Sequence, residues 1–372
     1  MECIAFLASD EGLHPVRIRA KMPMLSPIPM EAALAPQADQ SWRAIPIPWH
    51  RRWGRRFVYL ILLVALATLG GLVYEPVAEA LQLRSAPPPG RVVQADGLDM
   101  HMQVAGPPSK PVVVLFNGWG LPSSSWGWVM QQMSQTAMVV RWDPPGYAWS
   151  GLGSTAADAT SQAERIHQAM TSYEVTGPYL LVGSGLGAVE ARAFALRYPD
   201  EVAGMVLLDP WHQPLMADPA QHIRSLEREA TERRFSWTRL RAWWNKTPDP
   251  EFGLPEQDET ALLASLRTVK MAKAQVAELK ALPRSFEEIQ SLQTLGQMPL
   301  VVLTSAALDK DGRDGPWAPG SQAGRIQMDD LFSKMSTRGK HQIFPGATPT
   351  SLVCRQDLAD QVVLAIRSCT GR

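Results

Sequence analysis

The chain has 372 residues, of which 45% are hydrophobic, so it can bury a sizeable core as one α/β unit with further segments attached. Lys plus Arg and Asp plus Glu number 36 each, and this balance does not point to a nucleic-acid partner. The three cysteines form no CxxC motif or Cys/His cluster, so neither a metal nor a cofactor is predicted. Cys354 and Cys369 flank a predicted helix, residues 356–367, whose length keeps them beyond disulfide reach.

The amino-terminal segment, residues 1–50, contains seven prolines and shows no amphipathic period. Such a composition buries too little apolar surface to offset the entropy of ordering the chain. The sequence therefore predicts a mostly disordered segment ahead of the first long apolar run.

That apolar run predicts a membrane anchor over residues 51–76. The 18 residues from Phe57 to Tyr74 carry no charge, which is near the lower limit for crossing a bilayer as a helix. Four arginines precede the run: Arg51, Arg52, Arg55 and Arg56. The positive-inside tendency predicts a single-pass membrane protein with a cytoplasmic amino terminus and an extracytoplasmic main domain.

Two alternatives stay open for the apolar run. A buried helix of a globular domain is one, although the arginine flank and the missing polar face argue against it. A signal peptide cleaved after Ala80 is the other, because Ala78 and Ala80 resemble a small-residue cleavage site. An ordinary signal peptide would, however, begin its apolar run earlier in the chain.

A linker is predicted over residues 77–91 because of the proline-rich stretch "RSAPPPGR" at its end. Beyond it, short apolar runs alternate with helix-length segments, which is typical of a parallel sheet covered on both faces. The predicted strands are residues 112–116, 137–142, 179–183, 204–209, 299–304 and 340–344, with helices at 161–173 and 186–198. Residues 92–212 and 299–372 are therefore predicted to form one α/β core.

Residues 213–298 interrupt this alternation with a charged, helical segment. An insertion of this size between two strands predicts a helical lid over the carboxyl edge of the sheet. Its Trp/Arg-rich part, residues 235–246, could touch a membrane surface or a partner, or its tryptophans could pack on the core.

Several motifs resemble those of one family in order and spacing. They are "VVVLFNGWG", "DPPGYAWSG", "YLLVGSGLGAVEARAFALRYPDEVAGMVLLDP" and "PLVVLTSAALD". Over residues 87–366 the chain resembles the α/β-hydrolase family, in a bacterial type with an amino-terminal membrane anchor. The resemblance implies a mostly parallel sheet covered by helices, with a helical lid, and a serine-type ester or amide hydrolase as the ancestral chemistry.

The family places its nucleophilic serine at the apex of a G-x-S-x-G turn. Here Gly183 and Gly187 frame Gly185, which has no oxygen with which to attack a carbonyl. Ser184 precedes the apex, and a slip of one residue would flank it with the bulky Val182 and Leu186 instead of glycines. Ser184 is therefore only a fallback nucleophile.

The resemblance also implies a histidine base after the last strand and an acid after residues 299–304. Pro349 stands at the base position, and proline accepts no proton. Asp309 is the candidate acid and Asp209 is its reserve. His212 is the only base that could join Ser184 in a fallback site, and a loop histidine bonded to backbone is the simpler interpretation of it.

The backbone N–H groups of Trp119, in "NGWG", and Leu186 are implied to form an oxyanion hole. Because backbone groups persist whatever the side chains do, their presence indicates the fold and not an activity.

The sequence thus favours a membrane-anchored, catalytically degenerate member of the fold. It would bind a small apolar or acyl ligand in the former pocket, or a protein partner through the lid. An active ester or amide hydrolase that uses Ser184 and His212 is the alternative. A purely structural or interaction role is a third hypothesis, which a pocket filled by Trp119, Trp126 or Trp211 would favour.

Overall fold

The computed structural model describes residues 3–9, 12–18, 49–85, 87–153, 157–213, 219–235, 252–266, 268–307 and 322–370. They fall in two units, divided between Tyr59 and Leu60.

In the first unit, strands β1 (Cys3–Ser9) and β2 (Gly12–Ile18) pair antiparallel. The prediction of disorder over residues 1–50 is wrong for these two strands. An antiparallel pair satisfies its backbone polar groups through the partner strand, whereas the expectation rested on the proline content and the lack of an amphipathic period. Pro15 lies within β2.

Helix α1 (Trp49–Ser85) contains the apolar run. Its portion Trp53–Ala78, 26 residues, is long and apolar enough to cross a membrane, so this one helix could anchor the protein. Its side chains are almost all exposed, which disfavours the alternative of a buried core helix. The helix continues through most of the predicted linker, because residues 77–83 are rich in Ala, Glu and Leu, and three prolines then follow from Pro87.

The second unit is built on an eight-stranded sheet in the order β10-β9-β8-β7-β5-β6-β4-β3. The strands are β3 (Arg91–Ala95), β4 (Leu98–Ala105), β5 (Val112–Phe116), β6 (Val139–Trp142), β7 (Tyr179–Ser184), β8 (Val202–Leu208), β9 (Leu300–Ser305) and β10 (Gly339–Phe344). From β6 to β10 the neighbours are parallel, while β3 and β4 run antiparallel at one edge. This is the mostly parallel sheet that the sequence predicts.

Helices cover both faces of the sheet. They are α2 (Gly127–Met133), α3 (Ala159–Ser172), α4 (Leu186–Arg197), α5 (Pro219–Arg234), α6 (Glu256–Leu266), α7 (Val269–Ile289), α8 (Gln322–Ser333), α9 (Pro349–Cys354) and α10 (Gln356–Thr370). Successive side chains of β5 enter opposite cores: Val114 packs with residues of α3, α4 and α7, and Val113 with residues of α2 and α10. The continuous apolar run of this strand follows from burial on both faces. Cys354 and Cys369 are both free thiols, as expected.

Helices α5, α6 and α7 lie between β8 and β9, within the insertion predicted over residues 213–298. Thr268 caps α7, since its side chain accepts the N–H of Met271. The apolar face of α7, with Leu279, Leu282 and Phe286, joins the core that also contains α3 and α4. The Trp/Arg-rich part of the insertion lies outside the described residues, apart from Phe235.

Candidate functional site

A sharp turn joins β7 to α4 at Gly185. Its backbone has φ of 54° and ψ of −113°, a conformation that residues with a side chain adopt only under strain. The glycines on either side stand where the chain approaches itself. A Cβ on Gly183 would collide with the carbonyl of Gly187, and one on Gly187 with that of Asn117. The turn has the backbone shape that a nucleophile elbow requires.

The indole of Trp211, from the loop after β8, lies over this turn. A Cβ built on Gly185 would stand 3.1 Å from Nε1 of Trp211 and 3.6 Å from its Cδ1. Trp211 is only 3% exposed, and its ring centroid is 6.1 Å from that of Trp119. A serine at the apex would therefore have to displace a buried indole as well as adopt a strained backbone.

Ser184 is the last residue of β7 and not the apex of the turn. It is buried, and a Cβ on Gly118 would stand 3.4 Å from its Oγ. The hydroxyl therefore lies near the loop after β5. The residues two positions before and after Ser184 are the bulky Val182 and Leu186, not the glycines that an elbow requires.

His212 and Asp209 both follow β8, but the structure does not join them. His212 places Nε2 2.6 Å from Oδ1 of Asp329 on α8, and both side chains are buried. The prediction that His212 bonds to backbone is wrong for Nε2, which bonds to a side chain. The acid that pairs with His212 is Asp329 and not the fallback Asp209. Asp329 belongs to no motif, so nothing in the sequence could have found this pair.

Asp209 instead binds groups on its other side. Its Oδ1 accepts the N–H of Ser305 at 2.9 Å and lies 3.6 Å from Nη1 of Arg325. Burial raises the pKa of Asp209 to about 7, with Arg325 acting against the shift and Asp329 adding to it. Among the described residues, no imidazole is bonded to this carboxyl.

The position implied for the catalytic base is the first residue of α9. Pro349 follows Thr348, whose Oγ1 accepts the N–H of Ser351 at 3.2 Å, while Oγ of Ser351 accepts the N–H of Thr348 at 2.8 Å. In this capping box the two hydroxyl groups accept the backbone N–H groups at the start of the helix. Proline suits the first helical position because it has no N–H to satisfy. Asp309, the candidate acid, lies outside the described residues.

Helix α7 covers the loop after β5, which carries one of the two N–H groups implied for an oxyanion hole. The indole Nε1 of Trp119 donates to the carbonyl of Gln275 at 3.5 Å. The N–H of Gly120 donates to the hydroxyl of Tyr147 at 3.0 Å. The second implied donor, Leu186, begins α4 and is also buried. The loop after β5 therefore contacts helix α7 of the insertion directly through Trp119.

Two further carboxyl groups are buried in the core, Glu278 on α7 and Glu190 on α4. The Tyr147 hydroxyl donates to Oε2 of Glu278 at 2.6 Å. Burial raises the pKa of Glu278 to about 8, although the Tyr147 bond opposes the shift. Burial, and then Glu278, raise the pKa of Glu190 well above its ordinary range, with Arg165 offsetting part of this. Sequence reasoning missed the pair, and the only signal was a glutamate in the otherwise apolar start of α4.

A second buried histidine lies in β4. His101 places Nδ1 2.7 Å from Oδ2 of Asp143 and Nε2 2.5 Å from the carbonyl of Pro89. Burial raises the pKa of Asp143, but the bond and charge of His101 and the N–H of Ser123 outweigh this and leave the pKa below its ordinary value. Both ring nitrogens face groups of the protein itself, so the ring is held in place on both sides. Asp143 is thus part of a buried structural pair with His101.

A family model described as "Alpha/beta hydrolase family" matches residues 113–349. The protein YqjL of Bacillus subtilis (strain 168), described as uncharacterized, is 29% identical over 115 residues, which are 31% of this chain and 46% of that protein. The 1-acylglycerol-3-phosphate O-acyltransferase ABHD5 of Rattus norvegicus is 26% identical over 121 residues, 32% of this chain and 34% of that protein. This chain spans less than half the length of these relatives.

A thermophilic esterase from Thermogutta terrifontis shows the same fold among solved structures. Its TM-score is 0.53 at 18% identity, over 75% of this chain and 96% of that chain. The family match extends from β5 to the first residue of α9 and takes in the elbow turn and the insertion. The chain belongs to the alpha/beta hydrolase family.

Proposed function

We propose that this protein is a membrane-anchored member of its family that has lost hydrolysis and acts as a non-catalytic binding protein. The carrying observation is the apex of the elbow, where Gly185 keeps the strained backbone while Nε1 of Trp211 lies 3.1 Å from the place of a Cβ. The site therefore lacks the nucleophile, and the space beside the apex has been filled. Losing the nucleophile alone costs serine hydrolases orders of magnitude in rate.

The absence of a base supports the same proposal. Pro349 carries no proton acceptor, and the imidazole of His212 is held by Asp329 through Nε2. Nothing in the described residues joins Ser184 to an imidazole, and an activated serine needs one within about 3.2 Å. The contacts of His212 thus count against the alternative of an unorthodox active hydrolase.

The packing favours a protein partner over an acyl ligand at the elbow. Trp119 and Trp211 are both buried in contact above Gly185, which leaves little room there for an acyl chain. The insertion, residues 213–298, is proposed as the lid and as the binding element, because its helices cover the loop after β5 and occupy the former entrance. The anchor is proposed to leave the amino terminus in the cytoplasm and the α/β core, residues 92–212 and 299–372, on the other side.

Labelling of the full-length protein with a fluorophosphonate serine probe tests the loss of catalysis. We expect no labelling, because Gly185 has no oxygen and Pro349 no base. A Ser184→Ala variant is the matched control, since it removes the only serine beside the apex. Stoichiometric labelling of the wild type that Ser184→Ala abolishes would show an active enzyme. The same result would make acyl transfer, the activity for which the ABHD5 relative is named, a candidate for this protein. A covalent acyl intermediate also needs a nucleophile.

A further inference from the structure

Helix α7 is tied to the loop after β5 through a chain of hydrogen bonds that ends on a buried acid. The N–H of Gly120 donates to the Tyr147 hydroxyl at 3.0 Å, and that hydroxyl donates to Oε2 of Glu278 at 2.6 Å. Glu278 is 4% exposed and Tyr147 is 1% exposed. If α7 moves away from the core, this chain breaks and Glu278 reaches water.

A second buried acid lies close enough for the charge of Glu278 to act on it. Glu190, on α4, is 3% exposed, and its Oε2 has no hydrogen-bond partner among the described residues. Two carboxylates cannot both carry charge in such a place without paired cations, because each charge loses its hydration and repels the other. The packing of α7 on α4 therefore favours protonated glutamates.

Charged groups from the surrounding helices do not neutralise the pair. Arg165 of α3 acts on Glu190, but its Nε and Nη1 already donate to Asp96 and Gln162. On α7 itself, Lys273 is exposed at the rim. Acids of the neighbouring helices bind other groups. Those with a described partner are Glu164 of α3 with Arg197, Glu227, Glu229 and Glu232 of α5 with Lys280, Arg233 and Arg228, and Asp258 and Glu259 of α6 with Arg141 and the N–H of Phe252.

Glu278 also has a route to solvent. A partly open cavity of about 230 Å³ is lined by Glu278, Arg165, Gln162 and Lys273, with Leu152 on its apolar side. Water at this cavity can take up a proton from Glu278 without unfolding of the core. Protonation of the pair can therefore follow the pH of the medium.

We propose that Tyr147, Glu190 and Glu278 form a protonation-operated latch, which holds α7 over the loop after β5 when the glutamates are neutral and releases it when they are charged. The direction follows from linkage. The closed state holds protons that the open state gives up, so closure is fully favoured below the ordinary carboxyl range and is lost as the pH rises through about 8, the folded pKa of Glu278. The latch does not depend on whether the elbow is catalytic.

Hydrogen exchange of the full-length protein in lipid nanodiscs measures the latch. Protection of the amides of α7, corrected for the intrinsic base-catalysed rate, should fall at least about tenfold between about pH 6 and pH 9 in the wild type. Protection of β7 should fall clearly less over the same range, because the ionisation of Asp209 lowers the stability of the core but the latch does not hold the sheet. Glu278→Gln should remove at least half of the response on a logarithmic scale, because the amide oxygen still accepts from Tyr147 but carries no charge.

Glu287→Gln is the matched control, because Glu287 is an exposed carboxylate on the same helix and should leave the wild-type response unchanged. Should Glu278→Gln not fold, Glu190→Gln replaces it and should roughly halve the response on a logarithmic scale, since one of two coupled protons is gone. The latch is wrong if α7 shows no pH response in the wild type. It is equally wrong if β7 loses protection in parallel with α7, or if the folded variants respond like the wild type.

Discussion

At the residue scale, the backbone conformation of Gly185 and the ring of Trp211 both disfavour a side chain at position 185. A side chain at position 185 meets a positive φ of 54° and an indole nitrogen 3.1 Å from its Cβ. The first is a property of the turn, and the second depends on one neighbour that can be removed. The two contributions are therefore separable by a double-mutant cycle.

Gly185→Ser should lower the free energy of unfolding by about 1–3 kcal/mol, because of the strained backbone and the crowded indole. Gly185→Ala should cost a similar amount, since both variants add the same Cβ. In a Trp211→Ala background the penalty of Gly185→Ser should shrink, as only the backbone strain remains. Chemical denaturation of the detergent-solubilised protein measures the wild type and the four variants, namely Gly185→Ser, Gly185→Ala, Trp211→Ala and Gly185→Ser with Trp211→Ala. A neutral Gly185→Ser would contradict the described geometry.

Asp209 should make stability depend on pH. Burial raises its pKa from the ordinary 3.8 to about 7, so its contribution is full below about pH 4 and is lost as the pH rises through about 7. The expected loss is at most about 4 kcal/mol. Asp209→Asn, which cannot ionise, should flatten this part of the stability curve measured between about pH 5 and pH 8.

Asp330→Asn serves as the control for that experiment. The bond from Lys334 holds the pKa of Asp330 below its ordinary value, so this exposed carboxyl titrates below the tested window. The variant should keep the wild-type slope. An Asp209→Asn protein with an unchanged slope would show that Asp209 does not bind its proton as described.

At the scale of elements, the turn into α9 can accept a histidine. Pro349 occupies the first helical position, while the cap itself is made by Thr348 and Ser351. Pro349→His alone should therefore change stability by less than about 1 kcal/mol, because the capping box stays intact. The missing base is a matter of one side chain and not of a lost element.

Weak esterase activity should return when the missing groups are supplied together with room for them. We expect Gly185→Ser with Pro349→His and Trp211→Ala to hydrolyse a short activated ester, while each single variant does almost nothing. The control is the same triple variant with Asp309→Asn added, which should lose most of the gain if Asp309 orients the new histidine. A folded triple variant without activity would show that the pocket has gone along with its reagents.

At the scale of the whole molecule, one apolar helix could anchor the protein in a membrane. The side chains of α1 between Trp53 and Ala78 are almost all exposed, and an exposed apolar surface of this length is stable only in a bilayer or against a partner. After extraction with alkaline carbonate, the protein should remain in the membrane pellet. A soluble form that begins near Leu81 would instead support cleavage after Ala80.

The sequence by itself determined the sheet, the elbow and its empty apex. Apolar runs of four to eight residues and the glycines at 183 and 187 are local patterns, and local patterns need no knowledge of distant contacts. The absent oxygen at Gly185 and the absent imidazole at Pro349 are equally plain in the sequence. The local pattern was misleading over residues 3–18, where the seven prolines of residues 1–50 and the lack of an amphipathic period indicated disorder but two strands pair.

Only the tertiary structure decided which buried groups meet. Trp211 covers Gly185, His212 binds Asp329 across 117 positions, and Tyr147 binds Glu278 across 131. Each of these contacts joins residues from different elements, and a buried polar group takes whichever partner the packing brings within reach. No periodicity in the chain carries that information, because the partner is chosen by how strands and helices stack and not by sequence spacing.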